Sequence, residues 1–186
     1  MKRIFDVVLA SFSLLVLFLP LVALALLIKL TSRGPVLYWS DRVGRNNALF
    51  KMPKFRSMRL GTPAIATHLL DNPELFLTPI GNFLRKSSLD ELPQLWSIIH
   101  GDMSFVGPRP ALFNQNDLIE LRTRLGVHVL APGLTGWAQI NGRDELPIPK
   151  KVALDAEYLR RQSLAFDGII LWRTLTKVVT RDGVAH

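Results

Sequence analysis

From Val7 to Ile28 the chain reads VVLASFSLLVLFLPLVALALLI, with no charged position. As a straight helix at 1.5 Å per residue this run extends about 33 Å, enough to cross the hydrocarbon core of a bilayer. Pro20 removes a backbone donor in its middle, which predicts a kink or break there. Basic residues flank both ends: Lys2 and Arg3 before the run, then Lys29, Arg33, Arg42 and Arg45 after it. Basic flanks favour the cytoplasmic side. Both ends satisfy that preference only if the segment enters the membrane, turns near Pro20 and returns to the same face. A single-span anchor is the alternative on length alone. A secretory signal is a poorer fit, although MKR resembles an n-region and Ala23-Leu24-Ala25 a cleavage triplet. The apolar run is too long, and cations follow it at once.

Beyond the Ser32–Pro35 break the pattern changes. VLYWSDRV and ALFKMPKFR, joined by Gly44-Arg45-Asn46-Asn47, predict a β-hairpin. Pro53 cannot donate to a ladder, so its strand belongs at an edge or on a bulge. Residues 61–79 carry little periodicity and predict a loop with one short helix. Helices are predicted at Leu92–His100, ending at Gly101, at Asn114–Leu125, and at Lys150–Gln162, where Pro149 suits a first helical position. In DGIILWRTLTKVVTRDG, Leu171, Leu175, Val178 and Val179 fall on one face with Trp172 at its margin, and Arg173, Lys177 and Arg181 on another. That helix suits the plane of lipid headgroups or, equally, a core with a solvated basic face. The class is α+β and mostly helical, with a re-entrant membrane helix over residues 1–30, a catalytic body over residues 31–186, one hairpin and amphipathic helices at the membrane interface.

At 186 residues there is room for one compact domain and an appendage. The net charge of +8 points to an anionic partner, whether phosphorylated small molecule, lipid headgroup or nucleic acid. Nucleic acid is the weakest of these, because no groove-reading helix motif or aromatic platform accompanies the cations. Absence of cysteine rules out disulfides and thiolate zinc sites, and the four histidines stand too far apart in sequence for a paired metal motif.

Against this basic background stands an acidic pair, Asp90 and Glu91, within SLDELPQLWSIIHGDMSFVGPRP. One reading is structural: Ser88 and Glu91 have capping-box spacing, and Asp90 suits the first turn of a helix. The other is chemical. Lys51, Lys54, Arg56, Arg85, Lys86 and Arg109 are cations able to converge on one anionic substrate. Pro108 and Pro110 stiffen the approach of Arg109, whose guanidinium fork suits phosphate oxygens. A carboxylate among phosphate-binding cations can hold Mg²⁺ or attack phosphorus.

These stretches, together with KFRSM and PGLTGWAQINGR, resemble the bacterial sugar transferase family, the monotopic polyprenyl-phosphate phosphoglycosyl transferases, over nearly the whole chain. The resemblance implies a bacterial inner-membrane enzyme, working on the cytoplasmic face, that moves a sugar phosphate from a UDP-sugar to undecaprenyl phosphate and releases UMP, the first step of a surface glycan. It implies Asp90 as nucleophile and a ligand of Mg²⁺, and Glu91 as its dyad partner. Lys54, Arg85, Arg109 and Arg143 become phosphate-binding candidates, and the apolar run a re-entrant helix. Two positions depart from the family pattern: Leu19 replaces the usual serine before Pro20, and Ala131 replaces the arginine before PGLTGW. A non-catalytic basic adaptor on anionic lipid and an aspartyl phosphatase are the rival expectations.

Overall fold

The computed structural model describes residues 1–63, 71–142 and 146–180. Its longest element, α1 (Lys2–Thr31), runs through Pro20 without ending. Of the expected kink or break at proline, the break is therefore absent. Proline's fixed φ is itself helical, so the ring costs the bond that position 20 would donate and crowds the Val16 carbonyl without ending the helix.

Both ends of α1 are tied to the same body. At the start, Lys2 Nζ donates to Asp167 Oδ2 at 2.5 Å, and the Arg3 guanidinium donates to the carbonyls of Ile98 and Ile99. Asp6 is buried and accepts from Ser104 Oγ at 2.9 Å and from the Phe105 amide at 3.2 Å. At the other end, the buried Arg56 donates to the Pro35 carbonyl at 2.6 Å and to Ser32 Oγ at 2.8 Å. Ile28 packs there against Phe55 and Leu84. Along its free side α1 exposes Phe12, Leu15, Val16, Phe18, Leu19 and Leu26.

The hairpin forms as its sequence indicates. Strands β1 (Leu37–Val43) and β2 (Leu49–Phe55) pair antiparallel from Leu37↔Phe55 to Val43↔Leu49. Asn46 and Asn47 take the positive φ values of the turn, 55° and 60°. After α2 (Gly81–Lys86), α3 (Gln94–His100) and β3 (Ser104–Val106), strand β4 (Ala111–Leu112) pairs with the other side of β1, in the order β2-β1-β4. This leaves β2 at an edge, where the missing donor of Pro53 is tolerated. Helix α4 (Asn116–Arg124) follows, and then β5 (Gly133–Thr135) pairs parallel with β3. The chain closes with α5 (Trp137–Ile140), α6 (Ile148–Arg161) and α7 (Leu164–Thr180). The class is α+β and mostly helical, as expected.

Leu95, Ile98, Met103, Val106, Tyr158 and Ile170 sit in the main core, which also takes in Ala10 of α1. The Tyr158 hydroxyl lies 2.6 Å from Asp167 Oδ1, and burial with that carboxylate pushes the phenol pKa up, keeping it a donor. On α7 the expected face is split. Phe166, Asp167 and Ile170 are buried and Leu171 packs half-buried against the core, whereas Ile169, Trp172 and Leu175 are exposed. The reason is the Phe166–Ile170 row, which buries a stripe one position away from the one the sequence suggested. Arg173 of the expected basic stripe lies 5.6 Å over the Trp137 ring. Arg181 falls outside the described residues.

Replacing Asp6 by Ala orphans the Ser104 hydroxyl and the Phe105 amide in a buried setting, at a cost of about 1–3 kcal/mol. A lowered Tm of the detergent-solubilised protein is expected. An unchanged Tm would show that α1 docks without this contact.

Candidate active site

The acidic pair sits in a short 3-10 turn, Leu89–Glu91, which is separate from α3. Ser88 enters that turn at φ 56°, ψ 17° and makes no side-chain cap. The capping-box reading is thus not realised: a left-handed Ser88 turns its hydroxyl away from the amides ahead. The same turn carries Asp90 inward to 8 % exposure. Glu91 faces β2, where its Oε1 accepts from Lys54 Nζ at 2.8 Å and lies 3.5 Å from the Arg109 guanidinium.

Arg109 is held by its backbone. Its neighbouring prolines offer no donors, so the carbonyls are the available handles, and three successive ones are used. Pro108 accepts from the Gly133 amide at 2.9 Å, Arg109 from Arg122 at 2.8 Å, and Pro110 from Arg42 at 3.1 Å. Arg122 is itself fixed by Asp155 Oδ2, at 3.0 Å from Nε and 2.7 Å from its second terminal nitrogen. Burial raises the Asp155 pKa against the pull of Arg122. Beneath the loop, a Cβ at Gly133 would stand 2.1 Å from the Gly107 amide, so the two strands meet where only glycine fits. The Ala131 carbonyl packs on Gly107 in the same place.

Lys54, Arg85 and Arg109 therefore come together around Asp90 and Glu91, as the sequence indicated, while Arg143 lies outside the described residues. The other cations go elsewhere. Lys51 pairs with Asp41 on the hairpin at 3.0 Å, Arg56 clamps the end of α1, and Lys86 is exposed. Arg42 and Gln94 were missed, yet both line the cleft with Lys54, Glu91 and Arg109. Nothing local marks Arg42, whose partner Pro110 is 68 residues away. The position of Gln94, one helical turn after Glu91, was a usable signal.

Burial pushes the Asp90 carboxyl up to about 6. Lys54 is the largest opposing influence, Glu91 adds to the rise, and Arg85 and Arg109 pull it back. Near neutrality Asp90 is thus a poorly hydrated carboxylate facing cations, a state suited to nucleophilic attack on an anionic electrophile. The cleft beside it is narrow, about 10 Å³. Among the described residues no three His, Cys, Asp or Glu side chains gather as a metal cage. Mg²⁺ commonly uses one or two carboxylates and completes its shell with phosphate oxygens and water. The two adjacent carboxylates here, Asp90 and Glu91, are the number such an ion would take from protein, and do not make a free-standing site.

Comparison with known proteins bears on this geometry. The family model described as bacterial sugar transferase matches residues 1–181. The chain belongs to that family. Similar proteins of the family include the UDP-glucose:undecaprenyl-phosphate glucose-1-phosphate transferase of Escherichia coli (strain K12), 42 % identical over 190 residues, which cover 95 % of this chain and 40 % of that protein. The UDP-galactose-lipid carrier transferase of Erwinia amylovora is 37 % identical, with 98 % and 41 % covered. The exopolysaccharide production protein ExoY of Rhizobium meliloti (strain 1021) is 40 % identical, with 98 % and 87 % covered. The chain thus spans about two fifths of the length of the first two family members and most of the third.

Two outcomes are expected. Asp90 has a native pKa raised from 3.8 to about 6, so its stabilising contribution is complete below pH ~4 and is lost as pH rises through ~6. Relative to Asp90→Asn, the wild type should lose stability across that window and level off above it; parallel pH curves would contradict the shift. Arg122→Met leaves Asp155 buried without its partner and should cost about 3–5 kcal/mol in denaturant unfolding. A loss under 1 kcal/mol would show the pair to be dispensable.

Proposed function

We propose that this protein is a phosphoglycosyl transferase that moves a sugar 1-phosphate from a UDP-sugar to undecaprenyl phosphate in surface polysaccharide synthesis. The observation that carries the reading is the buried Asp90 next to Glu91, which gathers Lys54 and Arg109 at a cleft. Membership of the family and the names of the relatives supply the substrate class.

In the first half-reaction an oxygen of ionised Asp90 attacks the β-phosphorus. The bond from that phosphorus to the bridging oxygen breaks, and UMP leaves with the electron pair. In the second, a phosphate oxygen of undecaprenyl phosphate attacks the same phosphorus, and the Asp90 carboxylate is released unchanged. Lys54, Arg85 and Arg109 bind the diphosphate and offset the repulsion between anions. Arg143 is a further candidate for that role. Glu91 holds the cations together before the substrate arrives, and once relieved of them it is free to accept a proton from the lipid phosphate. Asp90 would hold Mg²⁺, which when bound would supply charge neutralisation at the diphosphate.

For the membrane we propose that residues 1–30 insert as a re-entrant helix and that residues 31–186 stay on the cytoplasmic face of the inner membrane. Both ends of α1 seat on one body, which supports re-entry over a span. The exposed Phe12, Leu15, Phe18 and Leu19 would lie in hydrocarbon, and Trp172 and Leu175 of α7 at the interface.

With a UDP-sugar, Mg²⁺ and no lipid acceptor, the wild type is expected to release close to one UMP per protein and stop, and Asp90→Asn to release none. Steady UMP release without acceptor would indicate hydrolysis. No release with any UDP-sugar, with or without acceptor, would end this reading. Cysteines placed at Lys2 and Arg33 should label from the same side; labelling from opposite sides would replace re-entry by a span.

A further inference from the structure

Gln94 opens α3 and is 3 % exposed, yet its carboxamide has no hydrogen-bond partner among the described residues. Other glutamine amides in the body are engaged: Gln115 Oε1 accepts from the Leu112 amide at 2.9 Å, and Gln139 Nε2 donates to the Leu134 carbonyl at 3.2 Å. The Gln94 amide is not among the fully sealed unpartnered atoms, which are His128 Nδ1 and Gln139 Oε1. What surface it keeps is turned to the cleft that it lines with Lys54, Glu91 and Arg109.

An amide that meets only the cleft gains no hydrogen bond within the protein, so an apolar side chain of the same size would forfeit none. The position is consistent with a group kept for a ligand. Its polar neighbours in the cleft, Arg42, Lys54, Arg109 and Glu91, are all charged, whereas a carboxamide offers neutral donors and an acceptor. We propose that Gln94 is a substrate-contacting residue whose amide donates to an oxygen of the phosphosugar, either on phosphorus or on a sugar hydroxyl. The inference rests on the phosphoglycosyl transferase reading for the identity of that ligand.

The test separates binding from turnover by working in Asp90→Asn protein, full length in detergent, with a panel of UDP-sugars as probes. Adding Gln94→Leu should weaken UDP-sugar binding roughly tenfold, the scale of one hydrogen bond, while Tm without ligand stays level or rises. Gln94→Met, unbranched and of similar length, guards against misfit of leucine. A uniform loss across the panel places the contact on phosphate, and a loss that differs between sugar epimers places it on a hydroxyl. Equal affinity with and without Gln94→Leu and Gln94→Met overturns the inference whatever the turnover. Binding that depends on Gln94, in a wild type that releases no UMP, would keep the inference and remove the proposed reaction.

Discussion

One carboxylate oxygen, Glu91 Oε1, joins the two halves of the cleft. It takes Lys54 from the hairpin at 2.8 Å and approaches Arg109 of the proline loop at 3.5 Å. Without it, two cations would face one another across a narrow, poorly hydrated space beside Asp90. With it, they are held together beside Asp90. In the reaction proposed above, this arrangement would ease the approach of a carboxylate to a phosphate.

The rest of the body keeps that cluster in register. The hairpin fixes Lys54, the left-handed Ser88 turns Asp90 inward, and the carbonyls of Pro108, Arg109 and Pro110 are each pinned by a donor from a different part of the chain. Asp155 lies behind Arg122, and Arg122 behind Arg109. A rigid loop suits the phosphate-binding role proposed for Arg109, because a guanidinium fork meets phosphate oxygens at a set distance and angle.

What the sequence made legible was local. The hairpin, the edge position of Pro53, the end of α3 at Gly101 and the start of α6 one residue before Pro149 follow from turn chemistry and proline geometry within a few residues. Asp90, Glu91, Lys54, Arg85 and Arg109 stood out as charges in an unusual setting. What was not legible depends on contacts between distant segments: the parallel pairing of β3 with β5, Asp6 under Ser104, Arg42 on Pro110, and Arg122 with Asp155. No periodicity encodes these. The capping-box motif misled because its spacing is satisfied while the backbone at Ser88 is left-handed, and the α7 stripe because a long apolar helix offers more than one face to bury.

The proposed reaction requires a bond between the Asp90 side chain and phosphorus, formed during turnover. Trapping the protein with a UDP-sugar and Mg²⁺ in the absence of lipid acceptor, then mapping the modified peptide by tandem mass spectrometry, tests it most directly. The expected result is a single phosphosugar adduct on Asp90. An adduct confined to Glu91, or full formation of lipid-linked product by Asp90→Asn protein, would contradict it.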